Sequence, residues 1–239
     1  MATRTREDVK RIYAEDAEGY DRVRLEDPRG QLVSNHDVRL FEQLFPNESG
    51  EMRVVEIGAG TGRFTLPALA RNFHIIATDV NASMLERLSS KVAKMGWSER
   101  CSVQTEDIFN LSFDDASVDY IFCLHVIPRF ATLEDQRAAI RELSRVLKPG
   151  GHLLFNYNNR RSMYGLLYKG YSTKPSEMKE ILNEANLSVQ TQRGKWLVSR
   201  RLINRLPLFM GRLIAVFDRC LSRFWPDCAW DVFVVAAKE

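Results

Sequence analysis

The sequence predicts an α/β fold in which short apolar strands alternate with helices. The first observation is Val54–Ile57, a stretch of strand length that leads directly into three glycines spaced two apart within Gly58–Gly62. Arg63 then opens a helix, which gives the strand, tight loop and helix of a nucleoside-binding unit. The second observation is that stretches of strand length recur between turn signals, at residues 73–79, 101–108, 118–126, 152–155, 187–192 and 230–237.

The segments around these strands have helical patterns. Apolar residues from Leu32 to Leu44 recur at helical spacing, so residues 1–45 are expected to form a helical cap. A helix is also expected from Lys174 to Ala185, and a helix followed by a Pro-Gly-Gly turn at residues 149–151 precedes the fifth strand. Residues 196–225 form a long basic and apolar insertion before the last strand.

The composition fits one soluble domain. A length of 239 residues is ample for the core of a single α/β domain. The N-terminus has no apolar signal region, which predicts a cytoplasmic protein. A net charge of +3 is too small to indicate nucleic acid as a partner. The cysteines show no CxxC spacing, so we expect free thiols and no metal; they are Cys101, Cys123, Cys220 and Cys228.

The glycine loop indicates which ligand it holds. A dinucleotide fingerprint, G-x-G-x-x-G, would place its third glycine where this chain has Arg63. The chain instead reads E-x-G-x-G-x-G from Glu56 to Gly62. An acid just before the loop would repel a phosphate but could attract a ligand that carries an amino group. Asp79 ends the next strand about 20 residues on, where such folds bind ribose hydroxyls.

This motif order resembles the class I S-adenosylmethionine-dependent methyltransferases, in particular small-molecule members of the type 11-like group. The resemblance spans roughly residues 50–159. It implies a Rossmann-like, doubly wound sheet of seven strands, mostly parallel, with the last strand antiparallel between its neighbours. It also implies a single domain over residues 1–239, with an N-terminal helical cap at 1–45, a cofactor-binding core at 50–159, a substrate-side lid or helical insertion at 160–230 and a final strand at 231–238.

The resemblance assigns residues to the cofactor, S-adenosyl-L-methionine, and to its product S-adenosyl-L-homocysteine. Asp79 would bind the ribose, Asp107 the adenine amino group and Tyr20 the amino-acid end of the cofactor. The remaining positions are expected to line the same site: Glu56, Gly58, Gly60, Gly62, Val80, Met84, Ile108 and Leu124.

His125 is the candidate catalytic residue. It follows the fourth strand, at the carboxyl edge where open α/β sheets bind ligands. It is either a general base for the acceptor or a histidine that only lines the pocket. Arg129 either recognises an acidic or phosphate-bearing substrate or is a solvated loop arginine. Further candidate substrate residues are Tyr157, Asn156 and Tyr13.

The leading functional hypothesis is methyl transfer to a small molecule, such as a secondary metabolite, a sugar or a lipid-like precursor, by a monomer or homodimer. Methylation of a nucleic-acid base is disfavoured because the fourth strand lacks the Asp/Asn-Pro-Pro-aromatic signature. A catalytically silent cofactor-binding partner or regulatory protein is the alternative from another class. Residues 195–225 are either a substrate lid or a peripheral membrane contact, and the latter would suit a membrane-surface lipid methyltransferase.

Overall fold

The computed structural model describes most of the chain. The described residues are 27–48, 50–162, 172–195 and 225–239, with isolated positions at 19, 21, 164–165, 210, 213, 217 and 221–222. Tyr13, Tyr20 and most of the expected insertion therefore lie outside the described residues. The domain boundaries stay a prediction.

The described residues form one seven-stranded sheet in the order β3-β2-β1-β4-β5-β7-β6. Strand β7 is antiparallel to β5 and β6, and the other pairings are parallel. The predicted fold class is therefore confirmed. The strands are β1 Val54–Ile57, β2 Ile75–Asp79, β3 Cys101–Thr105, β4 Val118–Cys123, β5 Leu147–Asn158, β6 Leu187–Lys195 and β7 Asp231–Lys238.

Five helices of the described region cover the sheet. They are α1 Pro28–Leu44, α2 Thr65–Ala70, α3 Ala82–Lys94, α4 Leu133–Val146 and α5 Pro175–Glu184. Short 3₁₀ helices occur at Ser98–Arg100, Ile127–Arg129 and Pro226–Cys228. No helix among the described residues is long and apolar enough to cross a membrane.

The central strands are buried on both faces, as expected for a parallel sheet between helical layers. All four residues of β1 are buried, and one core cluster lies on each side of the sheet. Phe41 of α1 is fully buried, with its ring 5.2 Å from Phe122 of β4 and 5.4 Å from Phe64. Helix α1 is thereby fixed on the face of the sheet where the glycine loop enters α2.

The structure differs from the sequence prediction at the Pro-Gly-Gly segment. These residues lie within β5, and the pairing with β4 passes from Val118–Leu147 to Tyr120–His152. Three additional residues on β5 therefore form an irregularity at this point, and Gly150 has a φ of +76°. The sequence pattern predicts a turn at this segment, whereas the structure has a bulged strand, which the glycine permits.

Candidate functional site

The glycine loop turns sharply at the carboxyl end of β1. The backbone N–H groups of Gly58 and Ala59 both donate to the carbonyl of Thr78 in β2, at 2.8 Å. Gly58 has a φ of +79°, and a Cβ there would lie 2.2 Å from Cγ2 of Val126. Gly60 also has a positive φ, +54°, but a Cβ there would meet nothing within 4 Å. The loop is therefore packed at Gly58 and faces open space at Gly60.

Asp79 holds this loop from the neighbouring strand. Its carboxylate accepts hydrogen bonds from the N–H of Gly60 at 2.8 Å and of Asn81 at 2.9 Å. Burial raises the pKa of Asp79, while the backbone N–H donors act in the opposite direction. A carboxylate has about four lone-pair sites, and the N–H groups of Gly60, Asn81 and Val80 use three of them, so about one remains for a ligand such as a ribose hydroxyl.

Glu56 is more deeply buried than its place before the loop suggests, with 2% of its surface exposed. Its carboxyl group accepts a hydrogen bond from the Thr65 hydroxyl at 2.5 Å. Burial raises the pKa of Glu56 to about 8, although the Thr65 hydrogen bond lowers it. At neutral pH the side chain is therefore mainly protonated, and its expected contact with an amino group stays a prediction.

The other expected cofactor residues lie along the carboxyl edge of β2, β3 and β4. The N–H of Glu106 donates to the carbonyl of Asp79, so the ends of β2 and β3 are tied together. Val80 is 39% exposed at this edge. Asp107 is half-buried and accepts a hydrogen bond from the N–H of Phe109. Three expected positions are buried, namely Met84, Ile108 and Leu124.

One residue of the N-terminal segment reaches the glycine loop. Asp21 accepts a hydrogen bond from the Thr61 hydroxyl at 2.6 Å and pairs with Nζ of Lys91 at 2.7 Å. The same Nζ donates to the Thr61 carbonyl at 3.0 Å. This contact fixes Asp21 at the glycine loop.

His125 lies on the other half of the edge in a strained backbone conformation. Its φ of +63° is in the left-handed region, which costs of order 1–3 kcal/mol for a non-glycine residue and is concentrated at functional sites. The backbone N–H of His125 donates to Oδ1 of Asn156 at 2.6 Å. Nε2 lies 3.1 Å from Oδ2 of Asp37 in α1. The ring stacks on Phe64 and meets Phe233 edge-on, with centroids about 6 Å away.

A buried cluster of charged side chains surrounds this histidine. Lys195 at the end of β6 contacts Asp37 and lies 3.1 Å from Asp231 at the start of β7. Arg63 pairs with Asp37 at 3.0 Å. Burial opposes ionisation of Asp37, but Lys195, His125 and Arg63 more than offset it and hold its pKa well below the usual range. The negative charges of Asp37 and Asp231 balance the positive charges of Lys195 and Arg63. A neutral His125 therefore leaves the cluster without net charge.

This half of the site was largely missed by sequence analysis. Asp37, Lys195 and Asp231 are separated by most of the chain, and no motif links them. Oxygen and nitrogen atoms of Asp37, His125 and Asp231 lie within 4.8 Å of one another, as in a metal site. The Lys195 ammonium contacts both carboxylates and supplies positive charge there.

Comparisons with known proteins agree with this geometry. A family profile described as a methyltransferase domain matches residues 55–155. Over this segment the chain is similar to methyltransferase domains. A malonyl-[acyl-carrier protein] O-methyltransferase of Halorhodospira halophila is 32% identical over 62% of this chain and 46% of its own length. A demethylmenaquinone methyltransferase of Bacteroides fragilis is 36% identical over 43% of this chain and 41% of its own length. The chain thus spans less than half the length of these relatives.

Solved structures share the methyltransferase fold over nearly the whole chain. The magnesium protoporphyrin IX methyltransferase of Synechocystis has a TM-score of 0.66 at 14% identity, covering 98% of this chain and 100% of its own. The geranyl diphosphate C-methyltransferase of Streptomyces coelicolor has the same TM-score and identity, with full coverage of both chains. The [4+2]-cyclase SpnF has a TM-score of 0.70 at 19% identity, and the match covers 100% of this chain and 98% of the cyclase. Because a cyclase shares it, the fold alone does not define the reaction.

The structure places the expected substrate residues on different faces of β5 and in the loop after β4. Asn156 is buried beside His125, whereas Tyr157 points to the opposite face of β5 and is buried in the core cluster next to α4 and α5. Arg129 is near the site through its Nε, which donates to the His125 carbonyl at 3.3 Å. The structure therefore brings Asn156 and Arg129 to His125 but not Tyr157.

Proposed function

We propose that the protein transfers a methyl group from S-adenosyl-L-methionine to a small-molecule acceptor. The observation that carries the proposal is that the Asp79-braced glycine loop and a partly exposed His125, held by the buried carboxylate of Asp37, lie side by side at one edge of the sheet. Arg63 links them, since it follows the loop and pairs with Asp37. Gly60 leaves room for close approach of a ligand to the backbone, so the loop fits the cofactor.

When bound, the cofactor would supply a methyl group carried on a positively charged sulfur, and the sulfur would keep the electron pair of the carbon–sulfur bond that breaks. Asp79 would accept a hydrogen bond from the ribose and thereby fix the position of that group. Positioning of two reactants can contribute about 7–11 kcal/mol to catalysis. His125 would take the proton from an acceptor hydroxyl, a contribution of roughly 10²- to 10⁴-fold.

The test starts from calorimetric titration of the full chain with S-adenosylmethionine and S-adenosylhomocysteine. Asp79→Ala removes an acceptor of charge-assisted hydrogen bonds worth about 1.5–3 kcal/mol, so the dissociation constant should rise by roughly 10- to 150-fold. A matched control is Asp114→Ala, an exposed aspartate away from the loop. An unchanged dissociation constant for Asp79→Ala would contradict the assignment.

Turnover then separates an enzyme from a silent cofactor-binding partner. Release of S-adenosylhomocysteine is measured against a panel of phenols, sugars and fatty or polyketide-like acids. His125→Ala should lower turnover while leaving cofactor affinity nearly unchanged. Cofactor binding with no turnover on any acceptor would favour the regulatory alternative.

A peripheral membrane contact is a second proposal, for the segment 195–225. Three described positions in it, Met210, Leu213 and Phe217, are helical and expose 38%, 67% and 69% of their surface. Exposed apolar side chains among arginines are typical of a helix that lies on an anionic bilayer. Lys195 is excluded from such a contact, because it is buried among carboxylates.

Co-sedimentation with phosphatidylserine vesicles tests this contact. Leu213→Ser together with Phe217→Ser should abolish sedimentation, and high salt should weaken it. If the protein stays in the supernatant at low salt, the segment is better explained as a substrate lid.

A further inference from the structure

The hydrogen bonds around His125 define which of its ring nitrogens carries the proton. Asn156 is fixed in orientation, because its Oδ1 accepts from the His125 backbone N–H and its Nδ2 donates to Asp231 at 2.6 Å. The same Nδ2 faces Nδ1 of His125 at 3.4 Å. A donor on that side requires a lone pair on Nδ1, and the proton therefore lies on Nε2.

The opposite side of the ring requires the same tautomer. Asp37 is 1% exposed, and its carboxylate contacts Lys195 and Arg63 as well as Nε2. Held ionised by these cations, the carboxylate can only accept, so Nε2 must donate to it. Two independent neighbours on α1 and β5 thus specify one state of the imidazole.

We propose that Asp37 positions His125 for proton abstraction, through the hydrogen bond that its carboxylate accepts from Nε2, and leaves Nδ1 as the basic nitrogen. This inference rests on the proposed methyl transfer. The contact of Asn156 with Nδ1 is long for a hydrogen bond, so an acceptor hydroxyl can replace it. About a fifth of the His125 side chain, 22%, is exposed for that approach.

The proton balance follows from this arrangement. The acceptor oxygen would form a bond to the methyl carbon as the bond from that carbon to sulfur breaks and leaves its electron pair on sulfur. The acceptor O–H bond breaks as well, and its proton moves to Nδ1. The resulting imidazolium carries protons on both nitrogens and is stabilised by Asp37 at 3.1 Å. The other charged groups that act on the ring are Arg63 and Asp231. Lys195 contacts the two carboxylates, and Arg129 donates to the His125 backbone carbonyl.

Lys195 and Asp231 allow a matched pair of variants. Asp37→Asn alone leaves the buried cluster with an excess positive charge and could prevent folding. Asp37→Asn with Lys195→Met removes one charge of each sign and keeps the cluster neutral. Asp231→Asn with Lys195→Met makes the same change in charge and shape but leaves the Asp37–His125 hydrogen bond intact. The two double variants therefore carry the same charge and differ in whether a carboxylate at position 37 accepts from Nε2; in the Asp231 variant the new amide oxygen can still accept from Nδ2 of Asn156.

The first measurement is the tautomer of His125 by ¹⁵N–¹H correlation spectra of the full chain, with the His125 signals identified by their loss in His125→Ala. The wild type and the Asp231 double variant should show a protonated Nε2 and a bare Nδ1, whereas the Asp37 double variant should lose this preference. A proton on Nδ1 in the wild type overturns the proposal, whether or not an acceptor is known.

The second measurement is turnover on any acceptor found in the panel. The Asp37 double variant should lose about 10²- to 10⁴-fold in kcat, and no more than His125→Ala loses. Adding His125→Ala to it should change kcat little, because both changes remove one function. Wild-type kcat in the Asp37 double variant would mean that Asp37 only balances buried charge. Absence of cofactor binding by the wild type would instead refute methyl transfer and leave the tautomer result standing.

Discussion

The buried carboxyl group of Glu56 gives a prediction whose size can be worked out from the structure. Burial raises its pKa from 4.5 to about 8, so between these values the folded state holds a proton that the unfolded chain has lost. Its contribution to stability is therefore fully present below the unfolded pKa and is lost as pH rises through the folded pKa. At about 1.4 kcal/mol per pH unit, the complete loss amounts to about 5 kcal/mol.

Glu56→Gln removes this titration while keeping an oxygen that can accept from the Thr65 hydroxyl. About 3 kcal/mol of the loss falls between pH 5 and pH 8, so the variant should gain that much unfolding free energy relative to the wild type over this range. The difference between the two proteins isolates Glu56 from the histidines that titrate in the same window.

The assay is urea unfolding followed by far-UV circular dichroism at pH 5, 6, 7 and 8 without cofactor. Glu99→Gln serves as the control, since it makes the same substitution at an exposed glutamate. Parallel stability curves for the wild type and Glu56→Gln would refute the argument that Glu56 is protonated in the folded state.

Three further outcomes follow from the geometry. Gly60→Ala should cost about 1–2 kcal/mol from its left-handed φ alone, whereas Gly58→Ala should cost more because its Cβ would overlap Val126; chemical denaturation at equal m-value compares them. Phe41→Ala empties the aromatic cluster under α1 and should cost about 3–5 kcal/mol in the same assay, and a loss below 1 kcal/mol would contradict the packing of α1. Burial lowers the pKa of His125 below 6.5, so the acid limb of kcat/KM should lie below pH 6.5, and a midpoint above 7 would exclude His125 as the base.

The sequence determined the cofactor half of this protein. Glu56, the three glycines and Asp79 lie within 24 residues of one another, on a strand, a loop and the next strand. This arrangement can be predicted from the sequence because each residue type meets a local structural requirement. Gly60 permits a positive φ, and Asp79 places a carboxylate at the end of a strand. The seven-stranded, mostly parallel sheet with an antiparallel last strand followed from the resemblance and is confirmed.

Only the tertiary structure decided the other half. Asp37, His125, Lys195 and Asp231 span 195 positions of sequence and meet because the carboxyl ends of β4 and β6, the start of β7 and helix α1 converge at one edge. In the sequence, Lys195 looks like the first basic residue of an exposed insertion, and Tyr157 looks like a neighbour of Asn156. The structure buries Lys195 between two carboxylates and alternates the side chains of β5 between the two faces of the sheet. Both features depend on pairing between strands that are far apart in the sequence, and residue spacing does not encode that pairing.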